Sequence, residues 1–228
     1  MIDLLELKGK SLIIEAQLFP SLNYFLLWAL SKDVILEVCE NYQKSSYRNR
    51  FYLATSHGPV RLSVPLEKGK HQQMPIDQAR MDNNHRWRVS HWRSIQTAYG
   101  KSPYFEHFKD ELYSRYTDEE PFLLKWSLDN IRMVLKWLGW DADIKLTERY
   151  KRVYHDEDVY DMRNKLKPGS LAENFFTDKL NLRYEQVFSA QQGFTKNLSI
   201  LDLIFCTGPE ASTILKNTLR EQQTSMDR

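Results

Sequence analysis

The chain has 228 residues, of which 42% are hydrophobic and 27% charged, and its 32 Lys and Arg against 30 Asp and Glu give a net charge of +2. This composition predicts one large domain or two small ones with a sizeable core, and it excludes wholesale disorder and collagen-like sequence. The balanced charge argues against binding of nucleic acid or anionic lipid through a strong positive field. Cys39 and Cys206 stand alone, as expected in a reducing compartment.

No segment of the sequence is typical of a membrane span or an export signal. The longest apolar run, residues 24–30, is seven residues long, whereas about 20 are needed to cross a bilayer. The N-terminus carries charges where a signal peptide would be apolar, namely Asp3, Glu6, Lys8 and Lys10. We therefore expect a cytoplasmic protein without a membrane span.

The first 50 residues predict a strand, a helix and a second strand. Residues 11–17 are a mostly apolar run, a helix can begin after Pro20, and residues 34–38 are a second apolar run. Strand, helix and strand within about 30 residues are typical of a βαβ unit with parallel strands. In such sheets ligands bind beyond the carboxyl ends of the strands, which here are residues 17–20 and 39–50.

The rest of the chain predicts a hairpin followed by helices. The pattern predicts hairpin strands over 51–55 and 60–64, a mobile loop over 67–73, a short strand over 74–80, and helices over about 84–99, 118–138, 199–205 and 210–221. Residues 148–167 are charge-rich, which favours an exposed or mobile stretch, and residues 222–228 are expected to be a flexible tail. The predicted fold is mixed α/β in a single domain over residues 1–228, with a βαβ Rossmann-like start, a β-hairpin extension and a largely helical C-terminal half.

The sequence lacks the common catalytic motifs and metal-ligand spacings. The first candidate for a functional site is therefore a stripe of residues on one face of a predicted helix. Trp87, His91, Ile95 and Tyr99 lie four residues apart and share one helix face. An imidazole among aromatic rings fits a general base or a substrate hydrogen-bond donor in an apolar pocket. It fits equally a core histidine that is bonded to a backbone carbonyl.

A second candidate is the basic segment Tyr47-Arg48-Asn49-Arg50, which follows the second strand. Its guanidiniums suit recognition of a phosphate or carboxylate, and the alternative is a solvated basic loop. Gln17 either lines a site or supports the turn after the first strand. Ser199 resembles an N-cap, and Asp202, the acid three residues on, either orients a histidine or caps the same helix. The Arg/Trp-rich stretch 86–93 could contact nucleic acid, but without a binding signature we expect no nucleic-acid partner.

Six short segments occur in order along almost the whole chain. They are QLFP at 17–20 with Tyr24, YRNR at 47–50, VP at 64–65, WRVSHW at 87–92, YGKSPYF at 99–105, and LSILDLIF at 198–205 with GP at 208–209. Together these segments resemble the WbqC-like protein family. The resemblance implies a bacterial protein of surface-polysaccharide (O-antigen-like) biosynthesis that acts as an aminoacyl- or acyl-type group transferase. The alternative is a non-catalytic binding or assembly protein of the same pathway.

Residues at positions that recur in the family receive roles from their side-chain chemistry. We predict that His91 removes a proton from the attacking group and that Asp202 orients its imidazole. Arg50, aided by Asn49, would hold an anionic or sugar-linked substrate. The predicted substrate-binding residues are Gln17, Tyr24, Asn49, Arg50, Trp87, Tyr99 and Lys101. The sequence indicates no metal, and it leaves the cofactor and the oligomeric state open.

Overall fold

The two apolar runs of the first 40 residues form the centre of a parallel sheet. A computed structural model describes residues 7–67, 74–140, 144–170, 178–180 and 182–226. In it β1 is Ser11–Glu15, α1 is Leu22–Leu30 and β2 is Asp33–Glu37. The two strands pair in parallel with Glu15 opposite Glu37. The predicted βαβ unit is therefore confirmed.

Four further strands follow, and two of them extend the same sheet. They are β3 (Arg50–Leu53), β4 (Val60–Ser63), β5 (Lys145–Leu146) and β6 (Val159–Asp161). Strands β3 and β4 form a separate antiparallel hairpin, as predicted. The parallel sheet has the order β5-β2-β1-β6, so that the two central strands come from the first half of the chain and the two edge strands from the second.

Helices make up most of the rest of the chain. They are α2 (Trp87–Tyr99), α3 (Phe105–Thr117), α4 (Leu123–Trp137), α5 (Ser189–Gln192), α6 (Ile200–Thr207) and α7 (Ala211–Met226). Helix α1 packs against α6 and α7, and α2 packs against α3. One continuous hydrophobic cluster joins the sheet to these helices. The mixed α/β class predicted from the sequence is confirmed.

The turn between β1 and α1 ties the βαβ unit to α6. Phe19 in this turn is buried and has a positive φ of 40°, a conformation that bulky residues rarely adopt. The Ser199 hydroxyl donates to the Phe19 carbonyl at 3.0 Å, and the Ile200 amide donates to the Pro20 carbonyl at 2.9 Å. The Ser199 Oγ also accepts from the Leu201 amide, which confirms the predicted N-cap of this helix.

The structure differs from the sequence prediction at three places in the middle of the chain. The strand predicted over 74–80 is a short 3₁₀ helix at Ile76–Gln78, since Pro75 has no N–H to donate to a strand ladder. Helix α3 went unpredicted, although its buried residues Phe105, Phe108, Leu112 and Tyr116 repeat at helical spacing. The predicted helix over 118–138 begins only at Leu123. The predicted loop lies outside the described residues at 68–73.

Two segments predicted to be mobile contain regular structure. Within 148–167, residues 159–161 form β6, and Met162 and Leu166 are 0% and 1% exposed. Residues 148–153 and 155–158 of the stretch are exposed. The buried part gave no signal in the sequence, because a strand of three residues is too short to show a periodicity. Helix α7 continues to Met226, so the predicted tail is helical over 222–226.

Candidate functional site

Charged side chains are buried at the carboxyl ends of the parallel strands. Glu15 and Glu37 are the last residues of β1 and β2, and both are 0% exposed. Three more charged residues are buried with them. Glu15 is near Arg48, which is paired with Glu40, and Glu37 is paired with Arg163. Burial of a charge is unfavourable unless it is paired and hydrogen-bonded. The contacts of these five residues therefore decide what this end of the sheet can do.

Arg48 and Glu40 form the first ion pair of this cluster. Arg48 donates from Nε and Nη2 to the two carboxylate oxygens of Glu40, at 2.7 and 2.6 Å. The same Nη2 donates to the side-chain oxygen of Asn164 at 2.8 Å. Nη1 of Arg48 is buried, and no described residue accepts a hydrogen bond from it. The pair is bidentate, the geometry in which a guanidinium orients a carboxylate most strongly.

Arg163, which follows β6, forms ion pairs with Asp161 and Glu37. It donates to both oxygens of Asp161, at 3.0 and 2.7 Å, and from Nη1 to Glu37 at 2.7 Å. The other oxygen of Glu37 accepts from the Thr147 hydroxyl and from the Cys39 amide. Glu37 thereby links β2 to the segments that follow β5 and β6.

Glu15 is held mainly by neutral hydrogen-bond donors. Its Oε2 accepts from the Asn164 amide at 2.8 Å and is 3.9 Å from Nη2 of Arg48. Its Oε1 accepts from Nε2 of Gln17 at 3.0 Å. The Tyr24 hydroxyl donates to its backbone carbonyl at 3.1 Å. Two predicted substrate-binding residues, Gln17 and Tyr24, therefore meet at Glu15.

An open cleft of about 280 Å³ lies over part of this cluster. It is lined by Cys39, Glu40, Asn41, Gln43, Tyr150 and Asn164. Glu40 and Asn164 connect the cleft directly to the guanidinium of Arg48. Burial raises the pKa of Glu40, and the nearby Glu15 and Glu37 raise it further against the opposing effect of Arg48. We call this group of lining residues the carboxyl-end cleft.

Asp202 and Tyr99, also predicted site residues, belong to a different cluster. The Tyr99 hydroxyl donates to Asp202 Oδ1 at 2.8 Å and accepts from the Ala54 amide at 3.1 Å. Asp202 Oδ2 accepts from the Tyr184 hydroxyl and from Gln186. Burial raises the pKa of Asp202, while these three donors lower it. The expected contact between Asp202 and His91 is therefore wrong, because other donors occupy the carboxylate.

His91 lies in an aromatic environment away from the carboxyl-end cleft. Its ring centroid is 5.1 Å from that of Trp87 and 5.8 Å from that of Phe51. The imidazole is buried, and its Nε2 donates to the Ser63 carbonyl at 3.2 Å, while Nδ1 has no hydrogen-bond partner within the part of the chain that the structure describes. Burial lowers the pKa of His91 to about 4. These are the contacts expected of a core histidine bonded to a backbone carbonyl, and catalysis by His91 stays a prediction.

Arg50 does not meet His91 in a common pocket. Successive side chains of a strand point to opposite faces, and Phe51, the next residue of β3, packs against the His91 ring. Arg50 therefore lies on the other face of the hairpin. Asn49 donates to the Val64 carbonyl at 2.8 Å, and Lys101 is exposed in the turn after α2.

Sequence reasoning missed the residues that bring the carboxyl-end cleft together. Arg48 was part of the YRNR segment, but the ligand-binding role was assigned to Arg50. The glutamates carry a signal that sequence reasoning could use, since Glu15 and Glu37 are each the one charged residue in an otherwise mostly apolar run. Arg163 and Asn164 gave none, because their segment carries many charges that are exposed.

Neither a membrane-spanning helix nor a metal-binding group of side chains is present among the described residues. Within the described ranges, no helix is both long and apolar enough to cross a membrane. Over the same ranges, no three His, Cys, Asp or Glu side chains are grouped so that they could hold a metal ion.

Comparisons with known proteins place the chain among its relatives. The family model described as "WbqC-like protein family" matches residues 16–214. An uncharacterized protein of Mycobacterium tuberculosis (strain ATCC 25618 / H37Rv), Rv1507c, is 27% identical over 232 residues, which cover 91% of this chain and 97% of the relative. No solved structure matches the chain. The family match includes β2 to β6 and all the residues that line the carboxyl-end cleft, and the chain therefore belongs to the WbqC-like protein family.

Proposed function

We propose that this chain is a group transferase of bacterial surface-polysaccharide synthesis and that its substrate binds in the carboxyl-end cleft. The observation that supports the proposal is the set of buried, hydrogen-bonded charges beneath an open cleft at the ligand-binding edge of a parallel sheet. Carboxylates with shifted pKa values in a cleft are typical of functional sites. The polysaccharide pathway and the aminoacyl or acyl type of the transferred group rest on the family resemblance.

Glu40 is the general base in this proposal. It lines the cleft, Arg48 orients both of its oxygens, and burial raises its pKa toward the range in which a carboxylate accepts a proton well. Glu40 takes the proton of the acceptor's amine or hydroxyl while the acceptor attacks the donor's carbonyl carbon. The bond to the leaving group breaks, and the leaving group departs with the proton. Such proton transfer contributes about 10²–10⁴-fold to a rate.

The other lining residues bind rather than react. Asn41, Gln43 and Asn164 present amide groups that can donate to and accept from a polar substrate. Tyr150 is 52% exposed and gives the rim one aromatic face. A small number of polar groups with one apolar surface is typical of a small-molecule site.

The test compares glycan in a strain that depends on this protein, complemented with variants of the cleft. We expect Glu40→Gln and Tyr150→Ala, each shown to be folded by circular dichroism and thermal unfolding, to lose the glycan modification. Wild-type glycan from both folded variants would overturn the proposal. Tyr150 is exposed, so its variant remains informative even where Glu40→Gln lowers stability.

A non-catalytic assembly protein is the second candidate, and an exposed apolar patch on α2 and α3 favours it. Val89 and Tyr113 are 48% and 46% exposed, and the Tyr113 ring lies 4.8 Å from that of Trp92. Exposed apolar patches mark interaction surfaces when they are contiguous. The variants Val89→Ser and Tyr113→Ser separate the two candidates. Loss of glycan in these, with normal glycan in Glu40→Gln, would favour the assembly protein.

A further inference from the structure

We infer that a second cleft, at the amino ends of β2 and β5, binds a neutral sugar ring. This site goes beyond the proposed function, because the carboxyl-end cleft lies at the opposite end of the same strands. The second cleft has a volume of about 410 Å³, which is in the range of small-molecule sites. We call it the amino-end cleft, and its charged and aromatic lining residues are Trp28, Lys32, Asp33, Trp140, Lys145 and Lys216.

Two indole side chains provide the apolar surface of the amino-end cleft. Trp28 on α1 is only 7% exposed, and its ring stacks on that of Phe25 with 6.2 Å between the centroids. Trp140, which follows α4, is half-buried and packs edge-on against Phe25 at the same distance. Phe25 thus holds both indoles in place. A sugar ring has C–H bonds on its faces, and such a face packs well on the large apolar surface of an indole.

The Trp28 indole N–H is a donor without a protein acceptor. No described residue accepts a hydrogen bond from it, although the Trp28 side chain is more than nine-tenths buried. By contrast, the indoles of Trp126, Trp137 and Trp140 donate to oxygen atoms of the protein, as a buried indole N–H usually does. Because Trp28 lines the cleft, a hydroxyl that binds there would supply the missing acceptor.

The charged residues of the cleft supply both donors and acceptors. Lys145 pairs with Asp33 at 3.2 Å, and these side chains are 52% and 34% exposed. Ammonium groups only donate hydrogen bonds and a carboxylate only accepts them, whereas a hydroxyl does both. A ring that carries several hydroxyls can therefore bond to both kinds of group.

The lysines of the cleft have structural reasons for their positions and do not require an anion. Lys145 pairs with Asp33, and the Lys216 ammonium lies 5.9 Å from the centre of the Trp140 ring. Lys32 follows the carboxyl end of α1, where a cation is favourable because the last helix carbonyls carry partial negative charge. An anion would compete with Asp33 and face the end of this helix, whereas a neutral ring leaves these contacts intact.

The charged residues beside the lining are of both signs. The Lys10 carbonyl accepts from the Lys32 amide at 2.9 Å, and Asp141 and Asp143 follow Trp140 in the sequence. The two aspartates lie outside the described residues. Charge alone therefore does not select the ligand, which is selected by the two indoles and the unpaired Trp28 donor.

The experiment measures binding of neutral disaccharides to ¹⁵N-labelled full-length protein by NMR. Maltose, cellobiose and N,N′-diacetylchitobiose are titrated separately, and inorganic phosphate and p-cresol serve as an anion and as an apolar ring. We expect at least one disaccharide to shift the indole N–H resonances of Trp28 and Trp140 in a saturable way, and neither phosphate nor p-cresol to do so. The Trp28 resonance is identified by its absence from the spectrum of Trp28→Phe.

Variants show whether the disaccharide binds in this cleft. Trp28→Phe keeps an aromatic ring but loses the N–H, and binding followed at Trp140 should weaken about fivefold, as expected for one neutral hydrogen bond. Asp33→Ala, at a part-exposed side chain, should weaken binding by at least the same factor. Trp92→Phe is the matched control, because Trp92 is also an indole without a described acceptor but lies against Tyr113. It should bind as the wild type does, and thermal unfolding confirms that each variant is folded.

Three results would overturn the inference. They are no saturable shift with any of the three disaccharides, saturation by phosphate or p-cresol instead, and wild-type affinity in the folded Trp28 and Asp33 variants. The outcome is separate from that of the proposed function. A protein that binds no disaccharide here, but whose glycan is lost in Glu40→Gln and Tyr150→Ala, would remove only the inference. Disaccharide binding in the amino-end cleft, with wild-type glycan in those two variants, would remove only the transferase.

Discussion

Arg48 and Glu40 share two hydrogen bonds in a place where their side chains are only 0% and 4% exposed. Each makes the other's burial tolerable, since an isolated buried charge is strongly unfavourable. The pair also connects the segment after β2 to the strand that begins the hairpin. The cleft and the fold therefore depend on the same contact.

Removal of one partner of the Arg48–Glu40 pair should strongly lower the stability of the protein. We expect Arg48→Ala to lower the free energy of unfolding by about 3–5 kcal/mol, because Glu40 is left buried without its cation. The measurement is urea unfolding at pH 7. Arg80→Ala is the control, since it breaks a pair with Glu67 whose side chains are 47% and 44% exposed, and it should cost less than about 1 kcal/mol. Equal effects of the two variants would contradict this account of the Arg48 pair.

The stability of the protein should fall in mild acid because of His91. Burial lowers its folded-state pKa to about 4 from 6.5, so below pH 6.5 the unfolded chain takes up a proton first. The stability is fully present above that pH and is lost as the pH falls toward 4. At ~1.4 kcal/mol per pKa unit, the loss is about 3 kcal/mol.

The check for His91 is the pH dependence of urea unfolding between pH 7 and 4. His91→Phe removes the titrating group and should give a flatter profile. The control is His57→Gln at an exposed position, which should retain the slope of the wild type. A wild-type slope in His91→Phe would assign the acid sensitivity to other groups.

The Tyr99 hydroxyl should contribute more to the free energy of unfolding than the hydroxyl of an exposed tyrosine does. Tyr99→Phe leaves the Ala54 amide without its acceptor and Asp202 without one of its three donors. We expect a loss of about 1–3 kcal/mol in the free energy of unfolding. Tyr113→Phe, at a side chain that is 46% exposed, should be nearly neutral. A neutral Tyr99→Phe would show that water replaces the hydroxyl.

Gly208, between α6 and α7, should tolerate no side chain. Its φ is +53°, and an added Cβ would lie 2.3 Å from the Tyr104 ring. Gly139 has a similar φ of +64°, but a Cβ added there would meet no described residue within 4 Å, so Gly139→Ala measures the effect of the backbone conformation alone. We expect Gly208→Ala to destabilise by about 1–3 kcal/mol more than Gly139→Ala, the usual effect of overpacking. Thermal unfolding measures the difference, and Tyr104→Ala in the Gly208→Ala background should recover part of it.

The parts of the fold that could be predicted from the sequence are those with a local signal. The βαβ unit and the Ser199 cap depend on neighbouring residues, and both are present. The stripe of α2 correctly predicts that His91 points inward. Periodicity could not show which rings fill the space around it, because Phe51 comes from a strand 40 positions earlier.

The carboxyl-end cleft could not be predicted for a related reason. Arg163 bonds Glu37 across 126 positions of sequence, and the Asn164 amide bonds Glu15 across 149. No local sequence pattern indicates a contact between residues that are so far apart in the chain. The charged segment 148–167 looks the same whether its arginines are solvated or paired in the interior, and only the tertiary structure decides between the two.

The late position of β6 has a consequence for synthesis of the protein. Domains fold during translation as their segments emerge from the ribosome, and β1 emerges long before β6, the strand that pairs with its outer edge. Until Arg163 and Asn164 are released, the glutamates that end β1 and β2 lack those two partners. A nascent chain halted before this point would expose unneutralised carboxylates and an open strand edge, which makes it a target for chaperones rather than a partly active protein.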